Sequence, residues 1–520
     1  MNTIVLVLLS TILLVCLKTY VDLRASLKAI NNHPGYWSLI SSFGLLGFMF
    51  QEPRRGVIGG NLRFWRKRHL DFQEAGIDVI SHTSFFPNVA SRLIIADTAV
   101  IKDITGNRVR FPKPSYDALR VWGANIIASE GEEWKRHRKV SAPAFSEPNN
   151  RLVWTETVKI MMDLFENLWG SREEIAVDHV VDSITLPVAL FVISVAGFGR
   201  QVSWQSDLVP SPGHKLSFKD ALHVISVDMW IQIFSPKFLW NSAPLKRIAD
   251  VKLGYEELEQ YMLEMVQERR TAEKKEECYD LFSNLLDASD SESDGSVRLT
   301  DRELLGNIFI FLLAGHETTA HTLAFAFGLL AMHQDYQEKL YQHIKSVVPD
   351  GRLPTYEEMN SLTECMAVFY ETLRLFPPVQ SIPKVAAEDT TLVAADHAGN
   401  KVVIPVPRGT ELQLSVISVH RNPRYWDDPH AFKPERFHGN WPRDAFLPFS
   451  SGARACLGRR FFETEGIAIL TMLVLRYKIE LKDEPEFAHE TYEERWQRLF
   501  KLKPVITIAP ARLPLVFKKR

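Results

Sequence analysis

The chain opens on an apolar run, Ile4 to Leu17, and only later settles into apolar positions at helical spacing. With Lys18 able to snorkel, the run extends to Val21, about 18 residues or ~27 Å of helix, close to the thickness of a bilayer core. The charges Lys18, Arg24 and Lys28 follow the run, the reverse of a cleaved signal peptide. Residues 1–23 therefore predict a transmembrane anchor, with everything after it in the cytosol. A second apolar patch, Tyr36 to Phe50, is short, interrupted by glycines and a serine pair, and followed by Arg54, Arg55, Arg63, Arg66, Lys67 and Arg68. It predicts a shallow membrane contact with a basic collar, in preference to a second span, over a linker at 24–70 that precedes one large domain at 71–520.

Within that domain, Thr300-Asp301-Arg302-Glu303 has the form of a capping box, and a strongly apolar helical pattern then runs for roughly thirty residues to about His333. Such a helix belongs inside a core. A second capping box, Thr355-Tyr356-Glu357-Glu358, predicts a helix that ends at Pro377-Pro378. Thr390 to Val406 alternates around His397, Gly399 and Asn400, as a hairpin does, and the Ser/Asp-rich stretch Ala288 to Ser296 reads as an exposed loop. The fold class is mainly α with small β-sheets. The 520 residues, 46% of them apolar, are enough for a large core, and the formal charge of 61 minus 63, or −2, excludes a nucleic-acid surface. Cys16, Cys278, Cys365 and Cys456 are too scattered for a disulfide framework or a zinc site.

One cysteine stands in a distinctive setting. Phe449-Ser450-Ser451-Gly452-Ala453-Arg454-Ala455-Cys456-Leu457-Gly458 places it in a glycine-bracketed loop ahead of an apolar helix. Gly452 and Gly458 would let the backbone approach a flat macrocycle, Arg454 would bind a propionate, Phe449 would cover the sulfur, and N–H groups at the helix start would hydrogen-bond it. A thiolate held this way favours cleavage of dioxygen on a haem iron, not its storage. A lone cysteine as a small buried hydrophobe is the plainer reading.

The loop resembles the signature of the cytochrome P-450 family, haem-thiolate monooxygenases, F-x-x-G-x-R-x-C-x-G, at every fixed position. The resemblance implies the cytochrome P-450 fold, haem b on Cys456, O2, electrons from an NADPH-cytochrome reductase, and a lipophilic substrate such as a terpenoid, sterol or aromatic compound. The pattern is most similar to fungal microsomal members, which implies a single-pass endoplasmic reticulum protein facing the cytosol. In mid-helix, Ala314-Gly315-His316-Glu317-Thr318-Thr319 contains a glycine costing roughly 1 kcal/mol relative to alanine. Either Gly315 packs against a neighbouring helix with Glu317 solvated, or Gly315 admits a flat ligand while Glu317 and Thr318 manage protons. Resemblance to the family's A/G-G-x-D/E-T-T/S motif implies the second, with Glu317 and Thr318 catalytic and His316 structural.

The same resemblance gives Glu371, Arg374 and Arg436 a structural ion network, and Trp134 and Arg138, four residues apart on one helical face, contacts to a propionate. Lys384 stands where the family often has arginine; it neutralises a propionate without gripping it bidentately. Lys135, Arg136, Arg459 and Arg460 would offer an acidic flavoprotein a docking surface. Phe311, Ala314, Val379 and Ile382 would line the substrate pocket, with further residues from Pro112 to Ile127 and Ile225 to Trp240. A reductase-independent isomerase or dehydratase of the same fold, and a non-catalytic haem-binding or sensing protein, are the competing readings.

Overall fold

The computed structural model describes residues 3–520 apart from 43–49, 51, 61, 201, 203, 205–208, 243–244, 272–279, 291–297 and 505–506. Most of the expected Ser/Asp-rich loop, Cys278 and much of the second apolar patch lie outside the described residues. The N-terminal run forms a helix, Thr3–Ala29, with Leu13 and Leu14 open to their surroundings, and by length and composition it can cross a membrane. Part of the second patch is a strand, Gly35–Ile40, whose burial is inverted: Ser38 is buried while Trp37 and Leu39 are exposed.

Two compact units follow from the packing. The first comprises Met1–Pro114, Val379–Ala431 and Pro442–Ala455. Its mixed sheet runs in the order Gly35–Ile40, Val79–Phe86, Ala90–Ile95, Glu411–Ser415, Ser381–Val385, with Val79 opposite Ile95, Leu93 opposite Leu412 and Ser381 opposite Ser415. The expected hairpin is present as Thr390–Ala395 and Lys401–Val406; the Asp396 carboxylate accepts the N–H groups of Ala398 and Asn400, and Gly399 takes φ 88°. Beneath the sheet Asp78 is fully buried and accepts from His69, His397, Asn422 and Arg424. Those donors outweigh burial and hold its carboxyl well below the usual range.

The second unit comprises Ser115–Pro378, Phe432–Trp441 and Cys456–Arg520. Its axis is the central helix Asp301–Met332, which begins at the predicted capping box: Thr300 Oγ1 accepts from Glu303 N–H, and the Glu303 carboxylate accepts from Thr300 N–H. The second capping box heads only a 3-10 turn, Tyr356–Ser361, and the helix proper is Thr363–Leu375. The break falls at Leu362, which takes φ −78°, ψ 53° and buries its side chain completely, so core packing overrides continuation of the helix. A small sheet orders Glu174–Val177, Leu515–Lys519 and Tyr477–Leu481.

The helix Arg459–Arg476, which starts just after the cysteine loop, approaches Thr363–Leu375 through Gly466. A Cβ there would lie 2.2 Å from Phe369 Cζ, and Phe369 is itself buried and packed on Phe462 at 5.1 Å. Gly466→Ala is therefore expected to cost ~1–3 kcal/mol, measured as a lower urea midpoint with unchanged slope.

Candidate active site

Between Glu303 and Ala331 the central helix is buried at every position except Phe311, Ala314, Gly315 and Thr318. The spacing i, i+3, i+4, i+7 makes these one stripe on one face. Ala314 is exposed on that stripe, although Leu312, Leu313 and Ala320 beside it are core. The glycine serves packing: a Cβ on Gly315 would stand 3.0 Å from Ile193 Cγ1, on the apolar Val181–Gly197 helix. Helix packing thus accounts for Gly315, as the first sequence alternative held, but its companion expectation of a solvated Glu317 fails, because Glu317 is 4% exposed.

Burial pushes the Glu317 carboxyl up to about 8, with Ser226 drawing it the other way. Ser226 lies close without meeting hydrogen-bond geometry: neither Glu317 Oε2 nor Ser226 Oγ has a partner among the described residues. Thr318 Oγ1 donates to Ala314 O at 2.9 Å, so its lone pairs are left to accept. His316 is buried and its Nδ1–H donates to Leu312 O at 2.9 Å, a structural contact. Thr319 Oγ1 lies 3.1 Å from Gly315 O and 3.2 Å from Glu465 Oε2. Glu465 was not singled out from the sequence, where an acid inside the apolar run Phe461 to Leu475 was the available signal. It is completely buried, and burial raises its pKa far above the ordinary value against the pull of Thr319.

Cys456 precedes the helix Arg459–Arg476, and its side chain is exposed yet densely surrounded by protein, the mark of a concave surface. That crowding raises the thiol pKa, while the Gly458 N–H and the Arg459 guanidinium pull it down. Gly458 itself sits at φ −85°, so it needs no left-handed backbone. Gly452 does: it takes φ 69°, and a Cβ would meet Thr105 O at 2.5 Å. In the same unit Arg454 closes a 3-10 turn, Gly452–Arg454, and Phe449 is buried. Cys365 is a different kind of thiol. It is fully buried in the helix Thr363–Leu375, 3.4 Å from Thr471 Oγ1, with its pKa pushed up to about 12 by burial.

Glu371 accepts from Arg374 Nε at 2.7 Å and Nη2 at 2.8 Å, from Lys433 N–H at 2.9 Å and from Arg436 Nε at 3.3 Å, so the three expected network residues do meet. Trp134 and Arg138 also meet, the guanidinium 5.7 Å from the indole. Lys384 is buried in its strand, Val379 is exposed and Ile382 half-buried. Of the expected docking cations, Arg136 bonds Glu303, Lys135 bonds Glu132, Arg459 bonds Glu463 and Tyr370, and Arg460 bonds Asn360. Arg136 is thereby partly buried, while the Arg459 side chain stays 49% exposed. The pocket segments contribute to the core as well: Trp122 packs on Phe309 at 4.7 Å and Tyr255 at 5.4 Å.

A family model described as cytochrome P-450 matches residues 83–503. The chain belongs to that family and is a monooxygenase, an oxidoreductase of the haem-thiolate class. It is 53% identical, over the full length of both chains, to cytochrome P-450 monooxygenase 124 of Postia placenta. It is 30% identical, over 80% of each chain, to a cytochrome P-450 monooxygenase of Arthrobotrys oligospora. In fold it is similar to the haem domain of cytochrome P-450DA, with a TM-score of 0.72 at 21% identity, covering 90% of this chain and 96% of that one.

The folded state holds on to a proton at Glu317 that the unfolded chain releases above about 4.5, and gives it up only near 8. This destabilises the native state progressively as pH rises through that window and no further above it. Glu317→Gln removes the titration, so its stability relative to wild type is expected to increase from pH 5 to pH 8 and then level off, read from urea midpoints.

Proposed function

We propose that Cys456, as its thiolate, is the axial ligand of haem b, and that the enzyme hydroxylates or successively oxidises a lipophilic substrate. The observation that carries this reading is the stripe of Phe311, Ala314, Gly315 and Thr318, incompletely covered on a helix that is buried everywhere else between Glu303 and Ala331. A flat apolar group fits such a face, and the exposed sulfur fits a metal, whereas the buried, high-pKa Cys365 does not.

Haem bound there supplies the activation of dioxygen. The protein's part is distributed among its own side chains. The Gly458 N–H and Arg459 stabilise the Cys456 thiolate. The Trp134 indole N–H and Arg138, with Arg454 and Lys384, neutralise and fix propionates. Phe449 and Gly458 shape the loop at the sulfur. Glu317, neutral at physiological pH, holds a transferable proton, and Thr318, its own hydrogen committed to Ala314 O, accepts a hydrogen bond on the stripe. Phe311, Ala314, Val379 and Ile382 give the substrate an apolar surface with few groups to orient it, which favours a terpenoid, a sterol or an aromatic compound. Glu371, Arg374 and Arg436 maintain the fold that retains the haem. Electrons come from an NADPH-cytochrome reductase, and the N-terminal helix anchors the enzyme in the endoplasmic reticulum membrane as a single-pass protein facing the cytosol, with residues 71–520 as the catalytic domain and secondary metabolism as its setting.

Cys456→Ser is expected to abolish the red-shifted absorption of the reduced carbon monoxide complex, while Cys365→Ser keeps it; survival of that band in Cys456→Ser rejects the ligand assignment. Thr318→Ala is expected to leave the spectrum intact and to divert NADPH consumption from product on the order of tenfold. Unchanged product per NADPH in that variant rejects its role.

A further inference from the structure

Glu317 is a buried acid, and a proton given up from it must be replaced. What surrounds it is specific. Ser226, on the helix Phe218–Phe234, is 3% exposed, and its Oγ, like Glu317 Oε2, has no hydrogen-bond partner among the described residues. Two unpartnered buried oxygens side by side are a site for exchange through a shared water. One turn earlier on the same helical face stands His223, whose ring is exposed on one side and crowded on the other. Asp182, Lys503, Lys219 and Asp220 face His223, and from the central helix it shares its field with His316 and His321. An exposed imidazole and a buried hydroxyl thus share one face of the helix, and the buried Glu317 carboxyl lies beside the hydroxyl.

We propose that His223 and Ser226 are positioning residues that form the proton entry to Glu317, with Ser226 as the inner step. The exchange is balanced: solvent protonates the His223 imidazole, the proton passes to Ser226 Oγ as the serine releases its own hydrogen to the shared water, that water gives a hydrogen to the Glu317 carboxylate, and serine and water both end neutral. Net transfer is one proton from water to Glu317, with no oxidant or reductant involved. His316 is not a step, because its Nδ1–H is committed to Leu312 O. The cluster of Glu133, His137 and Glu303 offers no competing metal site, since Asn307 Nδ2 donates to His137 Nδ1 and so leaves the proton on Nε2.

This inference rests on Glu317 as the proton donor, and the test separates the two. In the full-length haem enzyme, the infrared band of the protonated Glu317 carboxyl is identified by its loss in Glu317→Gln. On transfer to heavy water, deuterium exchange at that band is expected to slow on the order of tenfold in Ser226→Ala and in His223→Gln, and to recover in Ser226→Thr. Because Ser226 draws the carboxyl pKa down, the band in Ser226→Ala should also persist to higher pH. Product per NADPH should fall in parallel, with a larger solvent isotope effect. Exchange as fast as wild type in Ser226→Ala overturns the entry path, and Ser226→Cys gives the same reading where the alanine variant does not hold haem. If instead Glu317→Gln keeps full coupling, the donor role falls, whatever the exchange rates show.

Discussion

One constraint governs the second unit: a helix of 32 residues crosses its core and must be covered almost everywhere. Each large apolar side chain fully buried contributes about 1.5–3 kcal/mol, and Leu304, Ile308, Phe309, Leu312, Leu323, Phe325 and Phe327 are all essentially inaccessible. With both ends of the helix held by such contacts, its middle cannot roll or slide. The four incompletely buried positions are consequently fixed in place by the core residues on either side of them. A surface that binds a rigid disc requires that kind of preorganisation, and here it is a by-product of core packing.

Burying charge in such a core is costly, and three glutamates meet the cost in two ways. Glu371 has four donors, two of them from one guanidinium, so its charge is compensated where it lies. Glu317 and Glu465 have no cation beside them, and burial answers by raising their pKa until each keeps its proton. The first solution makes a scaffold, because removing any donor leaves a charge unpaired. The second makes a carboxylic acid available at neutral pH beside the incompletely buried stripe. Chemistry and structure are thus divided between side chains of the same type by their neighbours alone.

Much of this was legible in the residues. The capping box at Thr300, the length of the central helix and the hairpin around Gly399 follow from local rules of spacing and turn chemistry, whereas the meeting of Glu371, Arg374 and Arg436 was legible only through the family resemblance. What was not legible depends on who packs against whom. Gly315 is small because Ile193, more than a hundred residues earlier in the chain, presses on it. Leu362 interrupts a helix because its side chain is needed in the core. Arg136 reads as free surface charge until Glu303, 167 residues further on, comes within reach through folding. Glu465 went unremarked since an acid in an apolar run gives no hint of Thr319 across the interface.

The start of the central helix ties these strands together. The Glu303 carboxylate that completes the capping box also binds Arg136, which shares the helix Gly131–Ser141 with Trp134 and Arg138. One turn on, Asn307 accepts the Ile126 N–H through Oδ1 and donates through Nδ2 to both Glu303 O and His137 Nδ1. Every hydrogen-bonding group of that amide facing the Gly131–Ser141 helix is thereby oriented, and the His137 ring is held in one tautomer; burial keeps it neutral, with a pKa of about 4. A cap worth about 1 kcal/mol in an isolated helix does more here: one carboxylate and one amide set the register between the helix that carries the stripe and the helix that carries Trp134 and Arg138. Trp134 and Arg138 on one helix and the incompletely buried stripe on the other are thereby positioned by the same two residues.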